Sequence, residues 1–484
     1  MLVVVDQFPE WAFEQKRPAL TGGFARLLSE GEWRIGRVPS IATLTGPGHA
    51  LLGTGESPVR SGIVANEWWS RADGRIVRAG EDVDGNPTRA RLRVPGLADA
   101  LPPGGKAVAI ALKNRAAILP LGQHGLAIFY DAKTGTWTSN GSTAQPAPPP
   151  PWIAAHDRER PVSSRLAPWT PLDAAQLAQL SGTVDAQPGE VGEKGFTATF
   201  PHDPKATPKP LDAVFAMPLG NELVLDMARA AIAGEKLGAD RTPDVLVVSL
   251  SAHDYIGHGW GHESWEAWDA ALRLDAQLAK FLDALDHDVG AGRWAMILTS
   301  DHGASPLPER IHGGRYTFEQ LKTAANNAAS LELGGGDWIA NATYPSVYLT
   351  PAALARPKPD LKKAMKKVVF ALRSFPGLAI VDRADAYAGR CDERTGDARA
   401  ICLAIDPERS GDFIYVPAEG WILQEQAEPL ATAHGSNHDY DQQVPVIMLP
   451  FGRTAHAPQS APGAEIPLSD VAPTLRGWLT STPR

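Results

Sequence analysis

Short apolar runs alternate with helical patterns along this chain. Leu2–Val5, Ala107–Leu112, Asp244–Leu250 and Ala295–Leu298 are nearly all apolar, as strands covered on both faces are. Asn221–Ala233 and Glu263–Leu285 instead carry apolar residues at helical spacing. The alternation predicts an α/β fold, a mostly parallel central sheet with helices on both faces. Ligands of such sheets bind at the carboxyl ends of the strands, so the residues that follow each run matter most.

Two regions break the alternation. From about 140 to 215 the chain is rich in Pro and Ala, including Pro146-Ala147-Pro148-Pro149-Pro150-Pro151. It reads as an irregular surface insertion. From about 303 to 430 it mixes a helix (Asp360–Phe375) with short strands such as Phe413–Val416. This reads as a second insertion, a cap on a single catalytic α/β domain spanning 1–484. No internal repeat is visible.

Composition narrows the class. The chain has 484 residues, of which 43% are hydrophobic, so a large core is expected and wholesale disorder is not. The net charge of −9 comes without a Lys/Arg block, which argues against a nucleic-acid partner. No run of 18 apolar residues occurs, so no membrane span is expected. No signal peptide is visible, and Met1 leads straight into the first strand, which leaves a missing export leader open. Cys391 and Cys402 lie in a polar segment. They fit either a local disulfide in an oxidising compartment or two unpaired thiols.

Four segments carry candidate metal ligands. Asp6 follows the first strand; alone, it reads as a turn or cap residue. Asp254 and His258 follow the run 244–250 and stand four apart, which places both on one face of a helical turn. Asp301-His302-Gly303 follows another strand, and glycine suits the tight turn needed there. His434 lies in Ala433-His434-Gly435-Ser436, shortly before the apolar run Val444–Leu449. Three Asp and three His suit two zinc ions, since zinc accepts mixed nitrogen and oxygen ligands. Thr45 stands in Leu44-Thr45-Gly46-Pro47-Gly48-His49, where a helical pattern begins. Helix N-termini favour phosphate, and a metal contact can convert a weak hydroxyl nucleophile into an alkoxide. Without the ligand set, Thr45 reads as a helix N-cap.

In this order the motifs resemble the alkaline phosphatase superfamily. They are most similar to its threonine-nucleophile, phosphate-irrepressible bacterial alkaline phosphatases. The resemblance implies one zinc on Asp254, His258 and His434. It implies another on Asp6, Asp301 and His302, with Thr45 beside it and a phosphothreonine intermediate. Asn66, in Val64-Ala65-Asn66-Glu67, resembles the family's phosphate-binding Asn. Lys113 and Arg115 resemble its Lys-x-Arg pair. Two cations and an amide favour phosphate monoesters, which carry one more charge than diesters. The expected substrate is therefore a small phosphate monoester, and the family implies a periplasmic or secreted location. A phosphodiesterase or nucleotide pyrophosphatase of the same fold is the first alternative, and a non-catalytic binder of metal or phospho-ligand the second. Gly46 departs from the bulkier residue common after the nucleophile. A Cys-x-Pro-x-Arg sulfatase motif is absent, and no third, magnesium site is identified. His49, His253, His262 and His438 receive no role and are expected behind the ligands or on the surface.

Overall fold

The computed structural model describes residues 1–140, 148–425, 427–457 and 459–480. Its centre is a nine-stranded sheet. In chain order the strands are β1 (Leu2–Val5), β2 (Glu32–Arg37), β3 (Ala107–Ala111), β4 (Leu126–Asp131), β5 (Thr136–Ser139), β6 (Val245–Leu250), β7 (Met296–Thr299), β8 (Gln443–Leu449) and β9 (Gly463–Pro467). Across the sheet they run β9-β2-β8-β7-β1-β6-β3-β4-β5. The block β7-β1-β6-β3-β4 is parallel. β8 and β5 run against their neighbours.

The helices that bear on the site are α1 (Thr45–Thr54), α2 (Pro218–Glu235), α3 (Ala252–Trp260) and α4 (Trp265–Leu285). Side chains alternate across a strand, and the core divides by that parity. Val3, Val5, Val108, Ile110, Val248 and Leu250 pack with Leu223, Val224, Leu274 and Leu278 from α2 and α4. Leu2, Val4, Ala109, Ala111 and Val247 pack on the opposite face with Leu51 and Leu52 from α1. Both faces are thus covered, which is why these strands read as unbroken apolar runs.

Strand β6 begins at Val245 and not at Asp244, whose carboxylate instead accepts the Lys106 and Gly238 amides at 2.8 Å each. The Pro/Ala-rich stretch is not irregular throughout. Helices Pro151–Glu159, Val162–Arg165 and Ala174–Ser181 form within it. Pro151 occupies the first helical position, where its missing N–H costs nothing, and Asp173 caps the third helix through the Ala175 and Gln176 amides. Pro146 and Ala147 lie outside the described residues.

Between β7 and β8 the chain builds a separate four-stranded antiparallel sheet, Ile339–Thr343, Ser346–Leu349, Phe413–Pro417 and Leu378–Arg383 in spatial order. Helices α5 (Phe318–Leu333) and α6 (Lys358–Arg373) share its core through Leu321, Ala325, Val368 and Leu372. Leu44 and Ala65, neighbours of Thr45 and Asn66, belong to that same core. Cys391 and Cys402 are joined in a disulfide, so of the two readings of these cysteines the bonded one holds.

Candidate active site

Strand register explains why distant residues meet. Val5 pairs with Leu250, Val4 with Thr299, and Ala111 with Ser249. The ends of four adjacent strands are therefore nearly level. Asp301 and His302 emerge after β7, Asp6 after β1, Asp254 and His258 on α3 after β6, and Lys113 after β3. β8 is antiparallel, so the loop before it arrives at the same edge and delivers His434. β2 runs on towards Thr45 from the same edge. Helix α1 begins at Thr45 itself, with Leu44 as its cap residue, so Thr45 is the first helical residue and not the N-cap.

The three histidines share one geometry. His258 Nδ1 lies 2.9 Å from the Thr432 carbonyl, His302 Nδ1 2.9 Å from the Gly303 carbonyl, and His434 Nδ1 2.7 Å from the Thr43 carbonyl. A carbonyl only accepts, so each Nδ1 carries a proton, and in the neutral ring Nε2 keeps its lone pair. Carbonyl tethers of this kind orient metal-binding imidazoles. Burial, then repulsion from His302 and His258, holds His434 well below the usual histidine range, in its neutral, ligand-competent form.

Two groups of possible ligand atoms result. Asp254, His258 and His434 form one, and Asp6, Asp254 and His302 the other, each with its atoms within 4.8 Å of one another. The second differs from the expected Asp6, Asp301 and His302, because Asp254 reaches between the strands into both groups. Asp301 stands beside it, with Oδ2 3.5 Å from His302 Nε2. Asp6 Oδ1 and His302 Nε2 are buried without a hydrogen-bond partner and lie 3.6 Å apart, while Asp301 Oδ2 lies 2.9 Å from His49 Nδ1. An orphaned carboxylate oxygen facing an imidazole nitrogen is costly in a protein interior. A divalent cation satisfies both, so the donor set fits a metal.

Lys113 is buried and donates to Asp6 Oδ2 at 2.6 Å and Asp254 Oδ2 at 2.5 Å, with its ammonium 4.9 Å from the centre of the Tyr255 ring. Burial opposes its charge, yet Asp254 and then Asp6 raise its pKa above the ordinary lysine value. Burial also pushes Asp254 up, but Lys113 first and His258 next pull it well below the carboxylate range. Burial and the neighbouring Asp301 push Asp6 up to about 6. Asn66 Oδ1 accepts from the Gly46 amide at 2.6 Å, which leaves its N–H₂ as the donor end. A side chain at Gly46 would meet Ala65 O and Asn66 Oδ1 at 3.2 Å, a tight contact. Arg115 is partly exposed with its Nε buried and unpartnered. With Lys113 it lines a cavity of about 810 Å³ that also includes Tyr255, Phe215 and Asn140.

Residues 1–441 match the family described as type I phosphodiesterase / nucleotide pyrophosphatase. The chain belongs to that family, within the alkaline phosphatase superfamily. Alkaline phosphatase PhoV of Synechococcus elongatus is 31% identical over 505 residues, covering 99% of this chain and 89% of that one. Alkaline phosphatase PafA of Elizabethkingia meningoseptica is 28% identical, covering 99% and 90%. The crystal structure of wild-type PafA superposes with a TM-score of 0.85 at 26% identity, covering 99% of this chain and 95% of that one. A second PafA structure carries substitutions of one Thr, one Asn, one Lys and one Arg.

Within this family's site the structure adds residues that the sequence left without a role. His49 is buried one helical turn after Thr45, with Nδ1 2.9 Å from both Thr45 O and Asp301 Oδ2 and Nε2 2.8 Å from Ser249 Oγ. The four-residue spacing from Thr45 was the available signal. His253 and His262 are buried and stacked at 5.2 Å. His438 is half-buried against the Pro417 carbonyl. Gln7, next to Asp6, contacts both ligand groups, and its sequence gave no signal beyond adjacency.

Proposed function

We propose that the protein hydrolyses phosphate monoesters at a two-zinc site, with Thr45 as nucleophile. The observation that carries the reading is the placement of Lys113 between the two ligand groups, with Arg115 two residues on. PhoV and PafA, which align over nearly the whole chain, are alkaline phosphatases, which supports the same reading. One zinc would be held by Asp254, His258 and His434. The other would be held by Asp6, Asp301 and His302, beside Thr45. When bound, such a pair supplies positive charge that favours an ionised hydroxyl and stabilises the entering and leaving oxygens.

The chain's own residues do the rest. Thr45 Oγ attacks phosphorus; the O–P bond forms as the bond to the leaving oxygen breaks, and the alcohol departs. Water then attacks the phosphothreonine, phosphate leaves, and the hydroxyl is restored. At the start of α1 the Gly46 N–H is engaged by Asn66 and Pro47 has none, which leaves the Thr45 N–H to the phosphoryl oxygens. Asn66, Lys113 and Arg115 add an amide and two cations, which match the charge of a monoester dianion. The substituted Thr, Asn, Lys and Arg of the PafA variant follow the same order as Thr45, Asn66, Lys113 and Arg115. They keep the same Thr-to-Asn spacing and the same Lys-x-Arg arrangement.

A second reading is diester hydrolysis, favoured by the family's own description. The test compares kcat/KM for an aryl monoester and its methyl diester, in the native enzyme and in Lys113→Ala and Arg115→Ala. Each substitution is expected to cost about 10²–10³-fold on the monoester and much less on the diester. A native preference for the diester would sink the monoesterase reading. The disulfide supports an exported, oxidising location. No helix of the described residues is long and apolar enough to cross a membrane.

A further inference from the structure

Gln7 takes no part in the phosphoryl chemistry above, yet it is wholly buried beside it. Its φ of 59° is left-handed, a conformation uncommon for any residue with a side chain. Every hydrogen-bonding group it owns is engaged. The backbone N–H donates to Asp301 Oδ1 at 3.3 Å. The carbonyl faces His253 Nδ1 at 3.2 Å. The amide nitrogen donates to Asp254 Oδ1 at 2.8 Å and lies 3.1 Å from His258 Nε2. The amide oxygen lies 3.0 Å from His262 Nε2.

Chemistry fixes which way the amide points. An ionised carboxylate only accepts, so nitrogen must face Asp254 and oxygen must face His262. His262 therefore donates from Nε2. Its own backbone is pinned from behind, where the buried Lys16 Nζ donates to the His262 carbonyl at 2.5 Å. Gly257 completes the slot: a side chain there would begin 2.0 Å from Gln7 Oε1.

We propose that Gln7 is a positioning residue that couples the two ligand groups. Through its side chain it orients the Asp254 carboxylate, which belongs to both groups. Through its backbone it holds the Asp301 carboxylate. The Asp254 contact uses one lone pair of Oδ1 and leaves the other for a cation. A plainer reading is a core amide that merely satisfies itself. That reading does not account for a left-handed glutamine whose five contacts include ligands of both groups, or for the slot kept open at Gly257. Groups that orient metal ligands typically change metal affinity 10–100-fold when removed.

The inference rests on the two-metal reading above, and the experiment separates the two. Gln7→Met keeps the length of the side chain and deletes its donor and acceptor. The full-length protein is stripped of metal and titrated with zinc against a chromophoric chelator. Cobalt-refilled protein supplies an absorption spectrum as a second readout. The expected result is one zinc equivalent bound about 10–100-fold more weakly and an altered cobalt spectrum. Native zinc affinity and an unchanged cobalt spectrum in Gln7→Met would overturn the proposal, whatever happens to its thermal stability. If that variant does not fold, His262→Leu removes only the group that orients the amide and is judged by the same criterion. His434→Ala is the control. If it weakens zinc binding while Gln7→Met does not, the role of Gln7 alone fails. If His434→Ala also leaves affinity unchanged, the two-metal reading falls, and this inference with it.

Discussion

Thr45 sits where three local constraints converge. It opens a helix, His434 Nδ1 lies against the carbonyl two residues earlier, and His49 from the next turn reaches Asp301. Thr45→Ala is expected to reduce kcat/KM at least ~10⁴-fold, while Thr45→Ser, which keeps the hydroxyl, recovers a measurable part. Turnover unchanged in Thr45→Ala would remove it as nucleophile. A separate residue-scale prediction concerns pH. Glu266 Oε1 lies 2.9 Å from His202 Nε2, and both residues are buried. Burial, followed by repulsion from Glu190, pushes the Glu266 carboxyl from 4.5 up to about 9. The unfolded chain loses this proton near 4.5 and the folded chain keeps it to about 9. The folded state therefore binds more protons across that window, and stability falls as pH rises through it. Glu266→Gln, which cannot ionise, is expected to flatten the decline of Tm between pH 5 and 9. A decline as steep as the native one would discount this residue.

At the scale of elements, the approach of α1 to the turn after β7 sets the site. A side chain at Gly48 would begin 2.5 Å from the Asp301 carbonyl oxygen, so the helix can lie this close only with glycine there. Gly48→Ala is expected to push Thr45 and Asp301 apart and lower kcat about 10²-fold, with KM less affected; a native kcat would show that the two elements tolerate separation. The sequence marked the glycines and the strand ends, because both are local signals. It did not reveal that Asp254 would reach both ligand groups, since that depends on β1 and β6 being neighbours. The helices inside the Pro/Ala-rich stretch were missed for a related reason. Proline breaks a helix in its interior but starts one well, and composition alone does not say which end a proline occupies.

Over the whole molecule, the site draws on the ends of five strands, the loop before β8 and the start of α1, between the sheet and the separate four-stranded unit. Metal binding is therefore expected to tie these parts together. Chelation is expected to abolish activity and lower Tm, and zinc to restore both, since a ligand that binds only the folded state adds about 2.7 kcal/mol at a hundredfold excess over Kd. Full activity after verified metal removal would contradict the proposed mechanism.

What the sequence determined by itself was the layered α/β class, the strands beneath the site, and the polar residues that follow those strands. Apolar periodicity and residue chemistry are written locally, so they survive without a structure. The tertiary structure alone decided that Asp254 lies within reach of both groups. It put Lys113 between Asp6 and Asp254, held His258 and His434 through carbonyls far away in the chain, and lodged Gln7 between the groups. Those facts depend on strand order and register, which bring together residues hundreds of positions apart and leave no trace in the spacing along the chain.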